Sequence, residues 1–321
     1  MKFNFSKKQV SAISFLMAIL VSCKTNPLKL TIIQRQVLEG VPSASGLSKT
    51  KGEFFVIGDN STWVFRLNSQ FRVKDKLPLI PGTKDSILPK AMKPDWEAVA
   101  TIQTENGEEL LIFGSGSKLP YRNALVRLKP GKGTVQSQQY SLESFYGALK
   151  SSEAFKGGKL NIEGAAASGN RLYLFNRNNN LLIQIPLDGF LRYIAENGPL
   201  PEVKIFAIQL PVLNGLQATF SGATFIPGTS HIIFTASVEN NQDPVADGEI
   251  AGSFVGVIHE GSIQENYQPK CILLAENNQP VKIKVESVET LNSVQGQAEI
   301  LLVTDSDGGP SEIIRASIIW D

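Results

Sequence analysis

Residues 162–187 read IEGAAASGNRLYLFNRNNNLLIQIPL, and this stretch decides the predicted fold. The pattern predicts a strand over 162–168, a turn at 168–170 and a stronger strand over 171–176. A polar loop over 177–180 follows, and the apolar runs after it predict a third strand over 181–187 and a fourth over 202–210. A four-stranded meander of this kind, when it recurs along a chain, is typical of a β-propeller blade.

The opening of this unit occurs five times in the chain. Each copy begins with a polar or acidic residue, a small residue and an apolar residue, and the middle residues are 52, 66, 58 and 65 positions apart. Every interval has room for four strands of about five or six residues with their loops. The openings are Ser45-Gly46-Leu47, Glu97-Ala98-Val99, Glu163-Gly164-Ala165, Ser221-Gly222-Ala223 and Glu286-Ser287-Val288.

The last unit lacks a fourth strand, and a segment from the other end of the chain can supply it. Only 34 residues follow Ser287, which is enough for three strands ending near Trp320. Residues 29–38 alternate in part, so we expect them to close the ring and to cover an open sheet edge. We therefore predict an all-β fold, a β-propeller of five four-stranded blades closed by the N-terminal strand. Six blades and a large β-sandwich are the alternatives.

The sequence predicts one helix, over residues 141–156. Ser141 or Ser144 can cap its start, and the pair Gly157-Gly158 stops it. The other apolar runs are short and β-type, and turn residues separate them.

Residues 1–22 predict an export signal. Three lysines and no acid precede a 12-residue apolar stretch over 10–21, which is too short to span a membrane. The stretch ends in Leu20-Val21-Ser22-Cys23, which resembles the lipobox of bacterial lipoproteins. That resemblance implies acylation of Cys23, for example with palmitate, and attachment to a lipid bilayer. Lys24 favours the outer membrane of a bacterial cell envelope, and an ordinary secreted protein with a chance cysteine is the alternative.

Composition excludes one class of partner. The 321 residues include 31 basic and 30 acidic side chains, with 42% hydrophobic residues, which is a globular composition. Without residues 1–22, 28 bases stand against 30 acids. This near-neutral chain has no basic footprint, so we expect no nucleic-acid partner. The predicted division is a signal over 1–22, a lipidated cysteine with tether and closing strand over 23–39, and a propeller over 40–321.

Long polar loops collect on one face of the predicted propeller. The turns between first and second strands are short, whereas the opposite face carries the long loops at 78–95, 141–161, 237–252 and 305–310. Excess loop length on one face of a rigid scaffold is where binding residues usually lie. We therefore expect a ligand site on that face.

Acidic residues recur at the centre of this face. Glu97, Glu163 and Glu286 share one position at the entrance of the innermost strand, so radial repetition should bring them to one opening. Converging carboxylates repel each other unless something neutralises them, and Ca²⁺ prefers oxygen ligands of this kind. The predicted metal ligands are Glu97, Glu163, Glu286, Asp59, Asp305 and Asp307, the aspartates following second strands.

Basic residues lie in equivalent loops. Lys118, Arg122 and Arg177 can pair with the acids or, together with Asn176, hold an anionic substrate. As a further alternative, the carboxylates cap backbone groups or bind water in the channel.

The two histidines give no catalytic signature. His231 and His259 are accompanied by neither a Gly-x-Ser-x-Gly elbow nor a His-Glu-x-x-His motif. Since one begins a strand and the other ends one, we expect both to be exposed to solvent.

Several short motifs are similar to those of the phytase-like propeller domains of bacteria, also described as having esterase-like activity of phytase. They are Phe55-Val-Ile-Gly-Asp59, Asp95-Trp-Glu-Ala-Val99, Asn161-Ile-Glu-Gly-Ala165, Ser221-Gly-Ala-Thr-Phe225 and Val303-Thr-Asp-Ser-Asp307. The resemblance implies a propeller and, by analogy, calcium-assisted phosphoester hydrolysis at an acidic face. The Asp-Asp-Pro-Ala stretch of propeller phytases is absent, and only Gln242-Asp-Pro-Val245 is reminiscent of it.

Two functions follow from these observations. The first is a membrane-anchored propeller that binds a small-molecule, phosphoester or protein ligand, or acts as a scaffold, through its acidic loop face. The second is a calcium-dependent, phytase-like phosphoesterase, in which the metal activates water and Arg177 or Lys118 steadies the phosphate.

Overall fold

The first strand of the structure pairs with the last. The computed structural model describes residues 27–80, 87–131, 135–156, 158–196, 198–240, 248–305 and 310–320. Strand β1 (Lys29–Val37) lies antiparallel to β24 (Glu312–Ile319). Lys29 is opposite Ile319 and Val37 is opposite Glu312. The predicted closing strand is therefore confirmed. Residues 1–22 and Cys23 lie outside the described residues.

Five antiparallel four-stranded sheets form the blades of a β-propeller. Blade 1 contains β2 (Ala44–Thr50), β3 (Glu53–Gly58), β4 (Trp63–Leu67) and β5 (Val73–Pro78). Blade 2 contains β6 (Trp96–Thr104), β7 (Gly107–Gly114), β8 (Ala124–Pro130) and β9 (Val135–Ser141). Blade 3 contains β10 (Ile162–Ser168), β11 (Arg171–Asn176), β12 (Leu181–Pro186) and β13 (Lys204–Ala207).

The last two blades follow the same plan. Blade 4 contains β16 (Thr219–Phe225), β17 (His231–Asn240), β18 (Glu249–His259) and β19 (Lys270–Leu273). Blade 5 contains β22 (Lys284–Val294), β23 (Gln297–Asp305), β24 and β1. Two small hairpins lie between blades, formed by β14 (Val212–Leu213) with β15 (Leu216–Gln217) and by β20 (Ala275–Glu276) with β21 (Gln279–Pro280). The prediction of five blades is confirmed, and the alternatives of six blades or a sandwich are wrong.

The hydrophobic core is divided among the joints between blades. Five clusters of buried apolar side chains each lie between two adjacent sheets, and the joint of blades 5 and 1, for example, packs Leu301 with Leu47. The inner strands approach closely there. A Cβ at Gly222 would lie 2.6 Å from the carbonyl oxygen of Glu286, so only glycine fits at this position. Burial of large apolar side chains at every joint, at about 1.5–3 kcal/mol each, holds the ring together.

Two helices pack on the joint of blades 2 and 3. Helix α1 (Glu143–Ser151) falls within the predicted helix but is shorter, because Ser152 takes an extended conformation. Helix α2 (Leu187–Glu196) was not predicted, although Leu187, Phe190 and Ile194 form its buried face. The rings of Phe145 and Phe190 meet edge to face with centroids 5.5 Å apart.

The two ends of the ring differ. The starts of the inner strands and the ends of the second strands lie at one end, here called the mouth face, together with the described residues of the long loops over 79–95 and 142–161. The short turns between first and second strands, such as 51–52 and 169–170, lie at the other end, here called the turn face. Two long connections between third and fourth strands also lie at the turn face, one of them containing α2 (Leu187–Glu196), so loop length is segregated only in part.

The histidine pair lies at the turn face, where β17 begins and β18 ends. His259 is exposed as predicted, but His231 is half-buried, so that prediction was wrong. The His231 ring lies 5.0 Å from the His259 ring and 5.6 Å from that of Trp320, which shields it.

Candidate functional site

All five inner strands carry a β-bulge near their start. The pairing register of β2, β6, β10, β16 and β22 shifts there and leaves one residue of each strand unpaired. A bulge bends its strand and redirects the extra side chain. The bulged residues are Ser45, Glu97, Glu163, Ser221 and Glu286, the first residues of the five repeated openings.

The two bulged serines join neighbouring blades. Ser45 Oγ donates a hydrogen bond to the carbonyl oxygen of Trp96 at 2.5 Å, and Ser221 Oγ donates to the carbonyl oxygen of Val285 at 2.6 Å. Both serines are buried, and these bonds satisfy their hydroxyl groups. The three bulged glutamates instead bring negative charge to the centre of the mouth face.

Glu97 has neither a hydrogen bond nor an ion pair within the described part of the chain. Burial raises the pKa of Glu97 well above its usual value, and the nearby carboxylates of Asp95, Glu163, Glu286 and Asp59 raise it further. A strongly perturbed carboxyl group in an opening is a candidate for proton or cation binding. The charges of Glu163 in blade 3 and Glu286 in blade 5 therefore act on Glu97 in blade 2.

Asp59, Lys93, Asp95, Glu97 and Arg122 form what we call the blade 1–2 cluster. Carboxylate oxygens of its three acids lie within 4.8 Å of one another. The Lys93 ammonium pairs with Asp59 and lies 2.8 Å from Asp95 Oδ1, while Arg122 donates to Asp95 Oδ2 at 2.7 Å. Asp59 and Asp95 therefore each have a cation of this chain beside them, whereas Glu97 does not.

The backbone of Asp95 is strained. Its φ angle of 58° lies in the left-handed region, which costs a residue other than glycine about 1–2 kcal/mol. Its side chain accepts a hydrogen bond from Ser115 Oγ at 2.6 Å, and its carbonyl oxygen accepts one from the Ser115 backbone at 2.9 Å. These bonds and the two cations hold the carboxylate in place next to Glu97.

Glu163, Arg177, Glu239, Lys284 and Glu286 form the blade 3–5 cluster, in which acids and bases alternate. Arg177 donates to Glu163 at 3.2 Å and to Glu239 at 2.6 Å. Lys284 lies 3.4 Å from Glu239 and 2.8 Å from Glu286. Burial nevertheless raises the pKa of Glu286 to about 7, with Lys284 opposing that rise and Glu163 adding to it.

The structure places the predicted site residues in three groups. Glu97, Glu163, Glu286, Asp59, Arg122 and Arg177 lie in the two clusters. Arg122 and Arg177 pair with acids, which was one of the two alternatives for them. Lys118 is exposed and lines a cavity of about 370 Å³ with Lys90, Lys93 and Arg122. The metal and substrate roles of these residues stay predictions.

The structure describes two of the three remaining candidates. Asn176 is buried, and its amide group bonds the backbone of Asn161, Lys159 and Asn178, so it shapes a loop and does not project into the opening. Asp305 ends β23 and is opposite Lys284 in blade 5. Asp307 lies outside the described residues.

Four site residues were missed from the sequence: Lys93, Asp95, Glu239 and Lys284. Asp95 and Lys284 each lie two positions before a bulged glutamate, which was an available signal. Glu239 ends a second strand like Asp59, but β17 continues about four residues beyond its apolar run. Nothing in the sequence indicated that Lys93 folds back over Asp59.

Sequence comparison assigns most of the chain to one family. The profile described as Family of unknown function (DUF6929) matches residues 40–318. The chain belongs to this family. A search of curated proteins found no match. The DUF6929 match covers all five openings, and the resemblance to phytase-like domains stays a prediction.

The structure of this member of DUF6929 is similar to that of a solved protein. Glutaminyl cyclase from Myxococcus xanthus is 10% identical with a TM-score of 0.50, and the match covers 92% of this chain and all of that one. The PQQ-bound aldose sugar dehydrogenase from Streptomyces coelicolor is 12% identical with a TM-score of 0.44, covering 91% and 98% of the two chains. At such identities the likeness concerns the fold alone.

Neither α1 nor α2 is long and apolar enough to cross a membrane, and the part of the chain that the structure describes has no other helix of that kind.

Proposed function

We propose that this protein is a lipid-anchored propeller of the bacterial cell envelope that binds a cationic ligand at its mouth face. The observation that carries the proposal is Glu97, a half-buried carboxyl group among four other carboxylates, with no cation of the described chain paired to it. The two clusters together hold six carboxylates and four basic groups, so the site is negative by two charges when all are ionised. A bound cation would remove that excess.

Ca²⁺ is the cation that fits this donor set best. The blade 1–2 cluster offers carboxylate oxygens and no histidine or cysteine ligand, a set that suits hard cations. Asp95 and Glu97 would supply carboxylate ligands to the ion, and water molecules would supply the remaining ligands. Because burial and the neighbouring carboxylates raise the pKa of Glu97 and so favour its protonated form, binding would release a proton and would strengthen as the pH rises.

Calorimetric titration of the purified protein with Ca²⁺ tests this proposal. We expect binding with proton release, visible as a dependence of the heat on the ionisation enthalpy of the buffer. Glu97→Gln should abolish binding, whereas Glu249→Gln, which changes an exposed acid, should not. Absence of binding at millimolar Ca²⁺ between pH 6 and 9 would refute the calcium site.

The proposed anchor has a geometric consequence. Lys29 lies at the turn face, because it is opposite Ile319, which is opposite Gln297 at the start of β23. Six residue steps from Cys23 to Lys29 span at most about 20 Å. An acylated Cys23 would therefore hold the turn face near the bilayer and direct the mouth face away from it.

Labelling cells with a clickable palmitate analogue tests the anchor. We expect label in the wild-type protein and its loss in Cys23→Ser, together with release from the membrane fraction. Retention of Cys23→Ser in that fraction, without label in either protein, would argue against lipidation.

The calcium-dependent phosphoesterase remains the second candidate, for one observation. The 370 Å³ cavity beside the blade 1–2 cluster is lined by four basic residues, and its exposed Lys90 and Lys118 can reach a phosphate. If this function is right, p-nitrophenyl phosphate should be hydrolysed only with Ca²⁺, and Lys118→Ala should raise KM. Calcium binding without hydrolysis of p-nitrophenyl phosphate would support the binding function and exclude the phosphoesterase.

A further inference from the structure

A second opening lies on the propeller axis at the turn face. It is a cavity of about 250 Å³ lined by the inner strands of all five blades and by turn residues such as Gly169 and Pro227. Its walls include the small residues Ala100 and Ala167 as well as Phe225. The volume is just below the usual range for ligand sites, which indicates a small ligand.

One carboxyl group lines this cavity from β22. Glu289 is 6% exposed and accepts hydrogen bonds from the Lys49 backbone at 3.0 Å, the Thr290 backbone at 2.6 Å and Thr224 Oγ1 at 3.1 Å. Two of these donors bond Oε1, and only the Lys49 amide bonds Oε2. Since each carboxylate oxygen accepts about two hydrogen bonds, Oε2 has room for another donor.

The charge of Glu289 is not neutralised by an ion pair within the described residues. The nearest basic side chain, Lys49, directs its Nζ to the carbonyl oxygen of Leu291 at 2.8 Å instead. Burial raises the pKa of Glu289 to about 7. The charge of Lys49 opposes that rise in part. Neutral donors thus hold a carboxylate that has no direct ion-pair partner among the described residues, in a cavity that reaches solvent.

We propose that this cavity binds a small primary amine. The ammonium group would donate to Oε2 of Glu289, and a chain of a few carbons would lie against Ala100, Ala167 and Phe225. A divalent metal ion fits less well, because it needs about six oxygen ligands. The carboxylates that line the cavity are Glu289 and Glu108, and Oε2 of Glu108 already accepts bonds from Thr50 Oγ1 and the Lys51 backbone. A quaternary ammonium fits less well too, because it has no N–H to donate.

The proposal is independent of the calcium site. Glu289 follows Glu286 by three residues along β22, so the two carboxyl groups are separated by about 10 Å along the strand and approach opposite ends of the axis. A failure of calcium binding therefore leaves the amine site untouched, and the reverse holds as well.

Ligand-observed NMR with n-butylamine at pH 8 tests the amine site in the purified protein. We expect saturation transfer from the wild-type protein to n-butylamine and at least tenfold less to n-butanol, butyrate or tetramethylammonium. Glu289→Gln should weaken n-butylamine binding at least tenfold, and Ala167→Met, which fills the cavity, should do the same without removing a charge. Glu249→Gln is the matched control and should bind like the wild type.

Three outcomes would overturn the proposal. They are no transfer to n-butylamine at 50 mM (roughly the weakest binding of interest), equal transfer to n-butanol, and unchanged binding by folded Ala167→Met. The comparison among the four probes uses the wild-type protein alone, so it decides the question even if Glu289→Gln fails to fold.

Discussion

The two ends of the propeller axis accommodate buried carboxyl groups in different ways. At the mouth face, glutamates stand on bulges and are surrounded by other charges, and Arg177 and Lys284 each bridge two acids. At the turn face, Glu289 is held by two backbone amides and a hydroxyl group. The mouth-face carboxylates thus depend on charged side chains, whereas Glu289 depends on neutral donors from its own strand and from the inner strands of blades 1 and 4 on either side of it.

Removing Arg177 should produce the largest effect and break the mouth-face network. Arg177→Met leaves Glu163 and Glu239 buried without their shared cation, and breaking a buried ion pair costs about 3–5 kcal/mol. Urea unfolding at pH 7 measures the loss. Arg315→Met, which removes the partly exposed pair with Glu299, is the control and should cost less than about 1 kcal/mol. Equal losses in the two variants would mean that the network adds nothing.

The stability that Glu289 contributes at the turn face should depend on pH. Glu289 has a pKa of about 7 in the fold and near 4.5 when unfolded, so between these values the fold retains a proton that the unfolded chain has lost. Its contribution to stability is therefore full below pH 4.5 and falls through pH 7, by up to about 1.4 kcal/mol per pH unit. The difference in unfolding free energy between wild type and Glu289→Gln, followed from pH 5 to 8, should show this slope. A difference that does not vary with pH would place the Glu289 charge in solvent.

Removing the Lys93 ammonium should have a smaller effect, which is on the affinity for Ca²⁺. Its ammonium occupies the space between Asp59 and Asp95, and so it competes with any added cation. Lys93→Met should bind Ca²⁺ about tenfold more tightly, which is about 1.4 kcal/mol. Calorimetry at pH 8 measures the change, with Lys156→Met, an exposed lysine remote in the chain, as control. Weaker binding in Lys93→Met would mean that Lys93 supports the site instead of blocking it.

Much of the fold could be predicted because local and long-range signals agree. In blade 3, turn residues separate strong apolar runs, and the strands 162–168 and 171–176 match the structure residue for residue. The closing strand followed from counting strands in the last unit. Helix α2 was missed because Pro186 and Gly189 flank and interrupt its apolar spacing, and its stability comes from packing on blades 2 and 3.

Only the residues of the candidate site that belong to the repeated openings could be predicted from the sequence. Repetition located Glu97, Glu163 and Glu286 at one opening, because equivalent bulges place equivalent residues. Their partners come from strand ends and loops of unequal length, such as Lys93, and no repeat specifies those. Glu289 was missed for a different reason. Between Val288 and Thr290 it reads as a solvent-facing strand position, but on an inner strand that side is the axis of the ring.

The pairing of β1 with β24 also determines when, during folding, the propeller ring can close. Leu30 and Ile318 are partners although 288 positions separate them, so forming this contact closes a loop that includes nearly the whole domain. Contacts this distant in sequence slow folding, because the entropy of loop closure is lost before the contact is gained. A chain emerging from the ribosome could form blades 1 to 4 in succession, while its first strand waits for the final one to be synthesised. Blade 5 is therefore the step at which a newly made chain commits to the native ring.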